Sequence, residues 1–450
     1  MIPSIPWSKA HGVAFLSCPE DTDTTSPLRI ATTEPHNEFL MALIESETGR
    51  RVIPELYTPL EIRNWYSSNG NAAESILEKM QSEKTAGKTS NWESEPVIEL
   101  VDTILETASI QRISDIHFES YESYLSVRFR KDGLLVPHLD LPSWLKESVI
   151  LRLKVLANLD ISEKRMPLDG RFRYRTPSVD CSIRISTLPT RHGEKAVLRL
   201  LHSLKNNEGL EFLGMPFEMT VKIQRLFDKP QGIFFVTGPT GSGKTSTLYA
   251  GLRRVIQRQV NVTTIEDPIE YELSGANQVQ VNEKAGLFFT NALRSVLRQD
   301  PDVIFVGEIR DKETASVALQ AAQTGHLVVS TLHTNDAVSA ITRLKDLGIS
   351  PTLIADAVIG ILAQRLLRKS CSICGGKKEG CKDCNFTGYS GRFAIFELLE
   401  ASPKLNELIL NSSTNAEILK EIPFLKLRDH AELAVKNKET SKEELERVLG

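Results

Sequence analysis

The sequence lacks the features that mark membrane-spanning and exported proteins. No stretch approaches the ~18 consecutive apolar residues that a membrane-spanning helix needs. The segment Met1 to Ala10 has no basic region followed by an apolar one, so we expect no signal peptide. The formal net charge of −4 gives no overall attraction to nucleic acid or anionic lipid, which argues weakly against a DNA motor. We expect a cytoplasmic protein that reaches a membrane only through partners.

Cysteine is also scarce, but its distribution is informative. Four of the six cysteines form two C-x-x-C pairs, and Cys18 and Cys181 stand alone as ordinary thiols. Two such pairs at close spacing predict one tetrahedral zinc site without an open coordination position, which makes its role structural. A pair of disulfides is disfavoured in reducing cytosol, and an iron–sulfur cluster is disfavoured by the paired spacing. The predicted zinc ligands are Cys371, Cys374, Cys381 and Cys384.

Composition and hydrophobic pattern divide the 450 residues into four segments. Residues 1–81 indicate a small N-terminal helical module for docking a partner, with helix-like spacing around Phe39. Residues 82–96 are polar and indicate a flexible linker. Residues 97–205 combine a helical stripe with alternating runs, which predicts a mixed α/β sheet domain. From 206 to 450, strands alternate with helices as in a parallel sheet covered on both faces, and the C-terminal part is mostly helical.

The most specific motif is the glycine-rich segment GPTGSGKT, which fits the pattern G-x-x-x-x-G-K-[ST]. An apolar run predicts a strand before it, and helical spacing follows it, so a chance glycine-rich turn is disfavoured. Backbone N–H groups and the helix N-terminus would bind phosphates. Lys244 would reach the β- and γ-phosphates of ATP, and the Thr245 hydroxyl would ligate Mg²⁺. The predicted nucleotide-binding residues are Gly238, Pro239, Thr240, Gly241, Ser242, Gly243, Lys244, Thr245 and Ser246.

Two acidic residues follow predicted strands of the parallel sheet. Glu308 follows the apolar run 303–306, and Glu266 ends another strand. An acidic residue at a strand end beside a phosphate loop controls magnesium or the attacking water. Each glutamate taken alone is more often a surface charge, but open α/β sheets bind ligands at their strand C-termini. Either glutamate is therefore a candidate general base, with Glu308 leading.

Two histidines, His326 and His333, flank the strand-like run 327–332. A histidine near an apolar strand is usually structural. This strand is expected to neighbour the nucleotide, and neutral imidazole can donate or accept a hydrogen bond there. We therefore predict a role for the pair in sensing the γ-phosphate.

These motifs, in this order, resemble the secretion ATPase family that powers type II secretion and type IV pilus assembly. GPTGSGKT at 238–245, TIEDPIEY at 264–271, LRQDPDVIFVGEIRD at 297–311 and TGHLVVSTLHTNDA at 324–337 look like its Walker A, aspartate, Walker B and histidine boxes. RISDIHFE at 112–119 and RISTLPTRHGEKAVLRLL at 184–201 extend the resemblance over residues 97 to 400. It implies a RecA-like P-loop NTPase core preceded by a mixed α/β sheet domain.

The resemblance also implies a homohexameric ring in which arginines of the sheet domain approach the nucleotide across a cleft. The matching positions are Arg184 and Arg199, and Arg294 and Arg298 match arginines of the core. Such cations stabilise developing phosphate charge once the domains close, although an exposed strand charge is the commoner fate of an arginine. Asp115, with His117 and Glu119, matches the family too and is assigned to interdomain structure.

Within this family the tetracysteine loop favours assembly, because the pilus-retraction branch lacks it. The short N-terminal segment looks more like that of type II secretion ATPases than that of pilus-extension ATPases. We expect docking on the cytoplasmic domain of an inner-membrane secretion-platform subunit, a further contact with an inner-membrane platform protein, and no nucleic acid. The alternatives are a pilus-extension ATPase and, from another class, a nucleic-acid translocase, which would need a basic channel. A purely regulatory nucleotide-binding module is disfavoured by Glu266 and Glu308.

Overall fold

The structure is a computed structural model of the chain. It describes residues 13–15, 27–48, 50–57, 73, 76, 77, 80, 81, 94–176, 179–202, 209–377, 379–381, 384 and 387–450. Most of the predicted linker, residues 82–93, lies outside these ranges. The chain divides into two compact units, Met1–Ser203 and Leu204–Gly450.

The first unit begins with a small sheet in the order β1-β2-β3. β1 (Val13–Phe15) is antiparallel to β2 (Leu28–Thr32), and β2 is parallel to β3 (Val52–Leu56). Helix α1 (Glu38–Thr48) connects the two parallel strands and buries Leu40 and Ile44 against them. The helix predicted around Phe39 is present, whereas the sheet that it covers was not predicted from the sequence.

A larger antiparallel sheet follows, with strand order β6-β5-β4-β9-β8-β7. Helices α2 and α3 share an apolar core with one of its faces, as the alternating pattern requires. Ala73, Ile76, Leu77 and Met80 belong to the same core. The bounds are α2 Glu95–Ile110, β4 Asp115–Ser120, β5 Tyr124–Lys131, β6 Leu134–Pro142, α3 Lys146–Leu156, β7 Leu168–Thr176, β8 Val179–Thr190 and β9 Gly193–His202.

The second unit is built on a sheet in the order β12-β11-β13-β14-β10-β15-β16. Its strands run parallel except β16, which is antiparallel to β15. The central strand β10 is buried along its whole length, because apolar clusters cover both faces of the sheet. The strands are β10 Gly232–Thr237, β11 Val262–Glu266, β12 Asn277–Gln280, β13 Val303–Val306, β14 Leu327–Leu332, β15 Val358–Ser370 and β16 Tyr389–Glu400.

Side-chain caps fix where several helices of the second unit begin. Asp311 accepts a hydrogen bond from Thr314 N, and Asp336 accepts one from Ser339 N, as N-cap residues do. Within the described ranges, no helix has the length and hydropathy that a membrane crossing requires. The helices are α4 Phe217–Phe227, α5 Lys244–Ile256, α6 Phe289–Val296, α7 Lys312–Gln323, α8 Ala337–Asp346, α9 Pro351–Ala357, α10 Pro403–Leu410, α11 Asn415–Glu421, α12 Leu427–Lys436 and α13 Lys442–Leu449.

One buried carboxylate on β16 joins two of these helices. Glu397 is 4% exposed, and its Oε1 accepts a hydrogen bond from Ala337 N, the first residue of α8. Its Oε2 accepts one from Leu427 N, the first residue of α12. The side chain therefore satisfies N–H groups at two helix starts, which would otherwise be buried without a partner.

A second buried carboxylate, Glu444, fastens the last helix to β15. Its side chain is fully buried and bonds the Arg368 guanidinium at 2.7 Å and the Arg447 guanidinium at 2.6 Å. Arg368 also stacks over the Tyr389 ring, 4.0 Å from its centre. Burial acts to raise the pKa of Glu444, but hydrogen bonds from Arg447 and Arg368 lower it from 4.5 to about 2.

Replacing Glu444 with Gln should lower the free energy of unfolding by about 3 kcal/mol or more, because a buried guanidinium loses its charged partner. The folded-state pKa lies below the unfolded one, so this stabilisation is present above about pH 4.5 and is lost as the pH falls toward 2. Urea denaturation of the full chain should show the wild-type advantage shrinking over that range. The exposed pair Arg428–Glu446 supplies the control: Glu446→Gln should change stability by less than about 1 kcal/mol. An equal effect of both substitutions would contradict the assignment.

Candidate functional site

The glycine-rich loop connects β10 to α5, which begins at Lys244. Gly238, Gly241 and Gly243 have φ of 147°, 79° and 88°, values that favour glycine. A Cβ on Gly238 would lie 2.5 Å from Gln364 O, and one on Gly243 would lie 2.7 Å from Gln364 Nε2. The loop therefore needs glycine both for its turns and for its close approach to β15.

Lys244 is folded back over this loop. Its Nζ donates hydrogen bonds to Gly238 O at 2.8 Å and to Pro239 O at 3.1 Å. Burial and the nearby Arg365 guanidinium lower the pKa of Lys244 to about 8, against the opposing charges of Glu308 and Glu270. Lys244, Glu270 and Glu308 follow the carboxyl ends of three strands, so all three stand at the same edge of the parallel sheet.

The remaining residues of the predicted phosphate loop differ in exposure. Pro239, Thr240 and Gly241 are exposed, and Thr245 and Ser246 are half-buried. Ser242 is 3% exposed, and its hydroxyl has no hydrogen-bond partner among the described residues. A polar group without a partner at this position fits the fold of a loop that closes around an anion.

Glu308 lies at the C-terminal end of β13, as its place in the sequence predicts. Its Oε1 pairs with Arg310 Nη2 at 2.6 Å, and its Oε2 lies 3.4 Å from His333 Nε2. Burial lowers the pKa of His333, and the Lys244 charge lowers it further, whereas the Glu308 charge acts to raise it. His333 is therefore neutral near neutral pH and can donate or accept a hydrogen bond.

Glu266, by contrast, is held by protein groups and is 4% exposed. Its Oε2 accepts a hydrogen bond from the Tyr249 hydroxyl, and its Oε1 accepts from Thr264 Oγ1 at 2.6 Å and Gln278 Nε2 at 3.1 Å. Burial and the Glu266 charge raise the pKa of Tyr249, which stays protonated as a donor. Both oxygens of Glu266 are thus occupied in a structural network.

Sequence reasoning missed Glu270 and Arg310. Glu270 follows the same strand end by four residues, after the cis bond between Asp267 and Pro268. It is half-buried, its charge acts on Lys244, and it forms no hydrogen bond or ion pair with another described residue. The signal in the sequence is the second glutamate of the motif 264–271, which stands beyond the strand end.

His326 is not brought to this site. It precedes β14, whose first residue Leu327 pairs with Gly232 at the start of β10. The phosphate loop follows the other end of β10, so His326 stands at the opposite edge of the sheet. Its Nδ1 lies 3.0 Å from Ala321 O near the end of α7. Only His333 of the predicted pair joins Glu308.

The two predicted core arginines lie on or just after α6. Arg294 Nη2 pairs with Glu313 Oε1 at 3.0 Å, and both side chains are exposed. Arg298 donates to Arg294 O at 2.8 Å and to Ser295 Oγ at 3.3 Å. Neither arginine has a described contact with Lys244 or Glu308, so these two stay predictions.

In the first unit, Arg184 and Arg199 stand in one row across four neighbouring strand pairs. Arg184 is directly opposite Arg171 on one side and Arg199 on the other, and Arg199 is opposite Asp115, which is opposite Arg130. Arg199 Nε bonds Asp115 Oδ1 at 2.9 Å, and Arg130 Nε lies 3.8 Å from Asp115 Oδ2. Directly paired residues share a sheet face. The row thus contains four arginines and one carboxylate, that of Asp115.

The four cysteines after β15 come together as predicted. Their sulfurs lie within 4.8 Å of one another, with separations of 3.8 Å for Cys371–Cys381, 3.9 Å for Cys374–Cys384 and 3.7 Å for Cys381–Cys384. A tetrahedron with Zn–S bonds of about 2.3 Å has edges of about 3.8 Å. The thiols are not joined as disulfides.

The surroundings of the Cys384 sulfur also favour the thiolate, the form that binds a metal cation. It accepts hydrogen bonds from Cys381 N at 3.1 Å and Gly388 N at 3.3 Å. Although burial acts to raise it, these N–H groups and the neighbouring thiols lower the pKa of Cys384 to about 6. The donor set fits a tetrathiolate zinc site.

Comparison with known proteins identifies relatives along most of the chain. The family model described as "Type II/IV secretion system protein" matches residues 90–447. The "Type II secretion system protein E" of Klebsiella pneumoniae is 38% identical over 446 residues, covering 92% of this chain and 90% of that protein. The "Type IV pilus assembly ATPase PilB" of Thermus thermophilus is 44% identical over 369 residues, covering 76% of this chain and 41% of that protein.

A solved structure shows the same fold. The crystal structure of the pilus retraction motor PilT with bound ADP is 28% identical and matches with a TM-score of 0.55. The match covers 77% of this chain and 96% of that one. The α/β architecture with a RecA-like core is thereby confirmed.

Proposed function

The chain belongs to the Type II/IV secretion system protein family, and we propose that it is a Mg²⁺-dependent ATPase that powers pseudopilus assembly and protein export in type II secretion. The observation that carries the ATPase proposal is that the glycine-rich loop with its buried Lys244 follows the carboxyl end of β10, and Glu308 follows the carboxyl end of β13 in the same parallel sheet. The extent of the match carries the choice of system, because the alignment with the Klebsiella protein covers 92% of this chain and that with the pilus ATPase covers 76%.

In this proposal the phosphate loop binds ATP through its N–H groups, the N-terminus of α5 and Lys244. Opening the Lys244 hydrogen bonds to Gly238 and Pro239 frees its ammonium group for the β- and γ-phosphates. The Thr245 hydroxyl would hold Mg²⁺, which when bound neutralises phosphate charge. ATP and Mg²⁺ thus share the loop that the sequence motif indicates.

We assign the control of the attacking water to Glu270 and Glu308 rather than to Glu266. Glu270 has a carboxylate that no described residue occupies, so it can accept the proton of water as general base. Glu308, held by Arg310 and His333, orients the water and places His333 where the γ-phosphate would be sensed. Glu266 stabilises the strand end through Tyr249.

Arg184, Arg199, Arg294 and Arg298 are proposed to stabilise the transferred phosphate charge when the subunits of a homohexameric ring close. The excess of guanidinium groups around Asp115 supports this role for the first two. Hydrolysis would release that closure and move the ring. The four cysteines are proposed to hold one structural zinc ion.

The docking role of the N-terminal module also stays a proposal. We propose that residues 1–81 bind the cytoplasmic domain of an inner-membrane secretion-platform subunit and that the ring contacts an inner-membrane platform protein. This would place a cytoplasmic protein at the inner membrane through partners. The alternative function, that of a pilus-extension ATPase, has the same chemistry and different partners.

The first experiment compares steady-state ATP hydrolysis of the full chain alone, with the cytoplasmic domain of the secretion-platform subunit, with its pilus counterpart, and with DNA. We expect stimulation by the secretion domain only, because partner binding would favour the closed ring. Stimulation by the pilus counterpart only would favour pilus extension. Stimulation by DNA only would favour a translocase.

The catalytic assignment is tested with three isosteric Glu→Gln variants and Lys244→Ala. E270Q and E308Q should lower the hydrolysis rate by about 100-fold or more while ATP stays bound, as expected for loss of a general base or water-orienting group. E266Q should lower the thermal midpoint but keep turnover within about tenfold, because its partners are structural. K244A should lose nucleotide binding. Normal turnover in both E270Q and E308Q would refute the assignment.

The zinc proposal is tested by metal content. Wild-type protein should contain about one zinc per chain, and Cys371→Ser should lose it and become less stable, because a tetrathiolate site contributes folding energy. Cys181→Ser is the matched control, since Cys181 is a buried thiol in the other unit. Stoichiometric zinc in C371S would contradict this ligand set.

A further inference from the structure

Arg365 lies on β15 just past the point where β10 ends, beside the phosphate loop. Thr237, the last residue of β10, pairs with Ala363. The Arg365 side chain is 6% exposed, and its Nη1 donates to Gln364 O at 2.9 Å. Its Nη2 donates to Asn335 O at 2.6 Å. The guanidinium thus joins β15 to the segment that begins at His333.

No carboxylate forms an ion pair with Arg365 in the part of the chain that the structure describes. Its described partners are the carbonyl oxygens of Gln364 and Asn335 and the Asn335 side-chain oxygen. The acidic groups that act on it from farther away, Asp336 and Glu397, are engaged with helix N–H groups. A buried cation without a charged partner is unfavourable unless an anion completes the site.

Arg368, three residues along the same strand, shows the contrast. Its guanidinium bonds the buried Glu444 carboxylate through Nε at 2.9 Å and Nη2 at 2.7 Å. Of these two arginines on β15, Arg368 lies nearer the cysteines and is paired with a carboxylate. Arg365 lies nearer the glycine-rich loop and bonds only neutral oxygens among the described residues.

The unpaired guanidinium is directed at Gly238. A Cβ on that glycine would lie 3.1 Å from Arg365 Nη1 and 2.6 Å from the unpartnered Ser242 hydroxyl. Lys244 Nζ bonds the carbonyl oxygen of the same glycine. Burial lowers the pKa of Arg365, and its charge in turn acts to lower the pKa of Lys244. Two cationic side chains thus lie at one glycine, and no carboxylate of the described residues bonds either of them.

We propose that Arg365 is a positioning residue of the phosphate site, whose buried charge is neutralised by the polyphosphate chain of a nucleoside triphosphate and which holds the segment after β14 against the loop. The proposal rests on ATP binding as set out above. It assigns part of the affinity for phosphate to a residue that follows the loop by more than one hundred positions in the chain.

The test measures dissociation constants of the full-length protein for ATP, ADP and adenosine by competition, together with the thermal midpoint without nucleotide. Arg365→Met removes the charge and Arg365→Lys keeps it. Arg368→Met is the matched control. We expect R365M to weaken ATP binding by about tenfold or more, ADP less, and adenosine by less than about twofold, because the effect follows phosphate charge. R365K should retain most of the ATP affinity.

R368M should lower the thermal midpoint without changing the ratio of the ATP and adenosine constants. The proposal fails if R365M keeps wild-type ATP affinity, or if it weakens all three ligands equally, as general damage to the fold would. If R365M does not fold, R365K decides through the same ratio, which must stay near the wild-type value. Failure of the wild-type protein to bind ATP would instead refute the proposed function.

Discussion

The second unit depends on one close contact, that of β15 with the glycine-rich loop. Gln364 fills the space that side chains at Gly238 and Gly243 would need, and its Oε1 accepts a hydrogen bond from Thr247 on α5 at 2.7 Å. Since protein interiors are close-packed, the loop has little freedom to adopt another course. The same strand contains Arg368, and Cys371, the first residue of the cysteine cluster, follows its end. The glycine-rich loop, the terminal helix and the cysteine cluster are thus attached to one strand.

The buried charges of the second unit differ in whether a side chain of opposite charge bonds them. Glu444 is buried and bonds the guanidinium groups of Arg368 and Arg447, and it holds the last helix against β15. Lys244 and Arg365 are buried with no carboxylate bonded to them among the described residues. Electrostatic stabilisation of a transition state needs charges placed before the reaction begins, in surroundings that exclude water. In the proposed function Lys244 and Arg365 are charges of this kind, placed at the phosphate loop before ATP binds.

The sequence predicted the elements whose signals are local. The phosphate loop was found because its glycines and lysine are contiguous and lie between a strand and a helix. The cysteines were found because a tetrahedral site needs two close pairs. The alternating pattern predicted the larger antiparallel sheet, whereas β1 to β3 were missed because such short strands carry little periodicity.

What the sequence could not supply is the order of strands. A strand has two ends, and without knowing which end of β14 lies beside the loop, His326 and His333 looked equivalent. Arg365 could not be found at all, because its neighbour in space is set by the pairing of β10 with β15. Glu270 was missed because it stands four residues beyond the end of β11, where the sequence alone does not show that it lies near Lys244.

The shared carboxylate of Glu397 has a mechanical consequence. One oxygen holds the first residue of α8, which directly follows the segment beginning at His333, and the other holds the first residue of α12. The starts of α8 and α12 are therefore tied to one carboxylate, so neither N–H group can leave it without exposing a buried oxygen that has lost its donor.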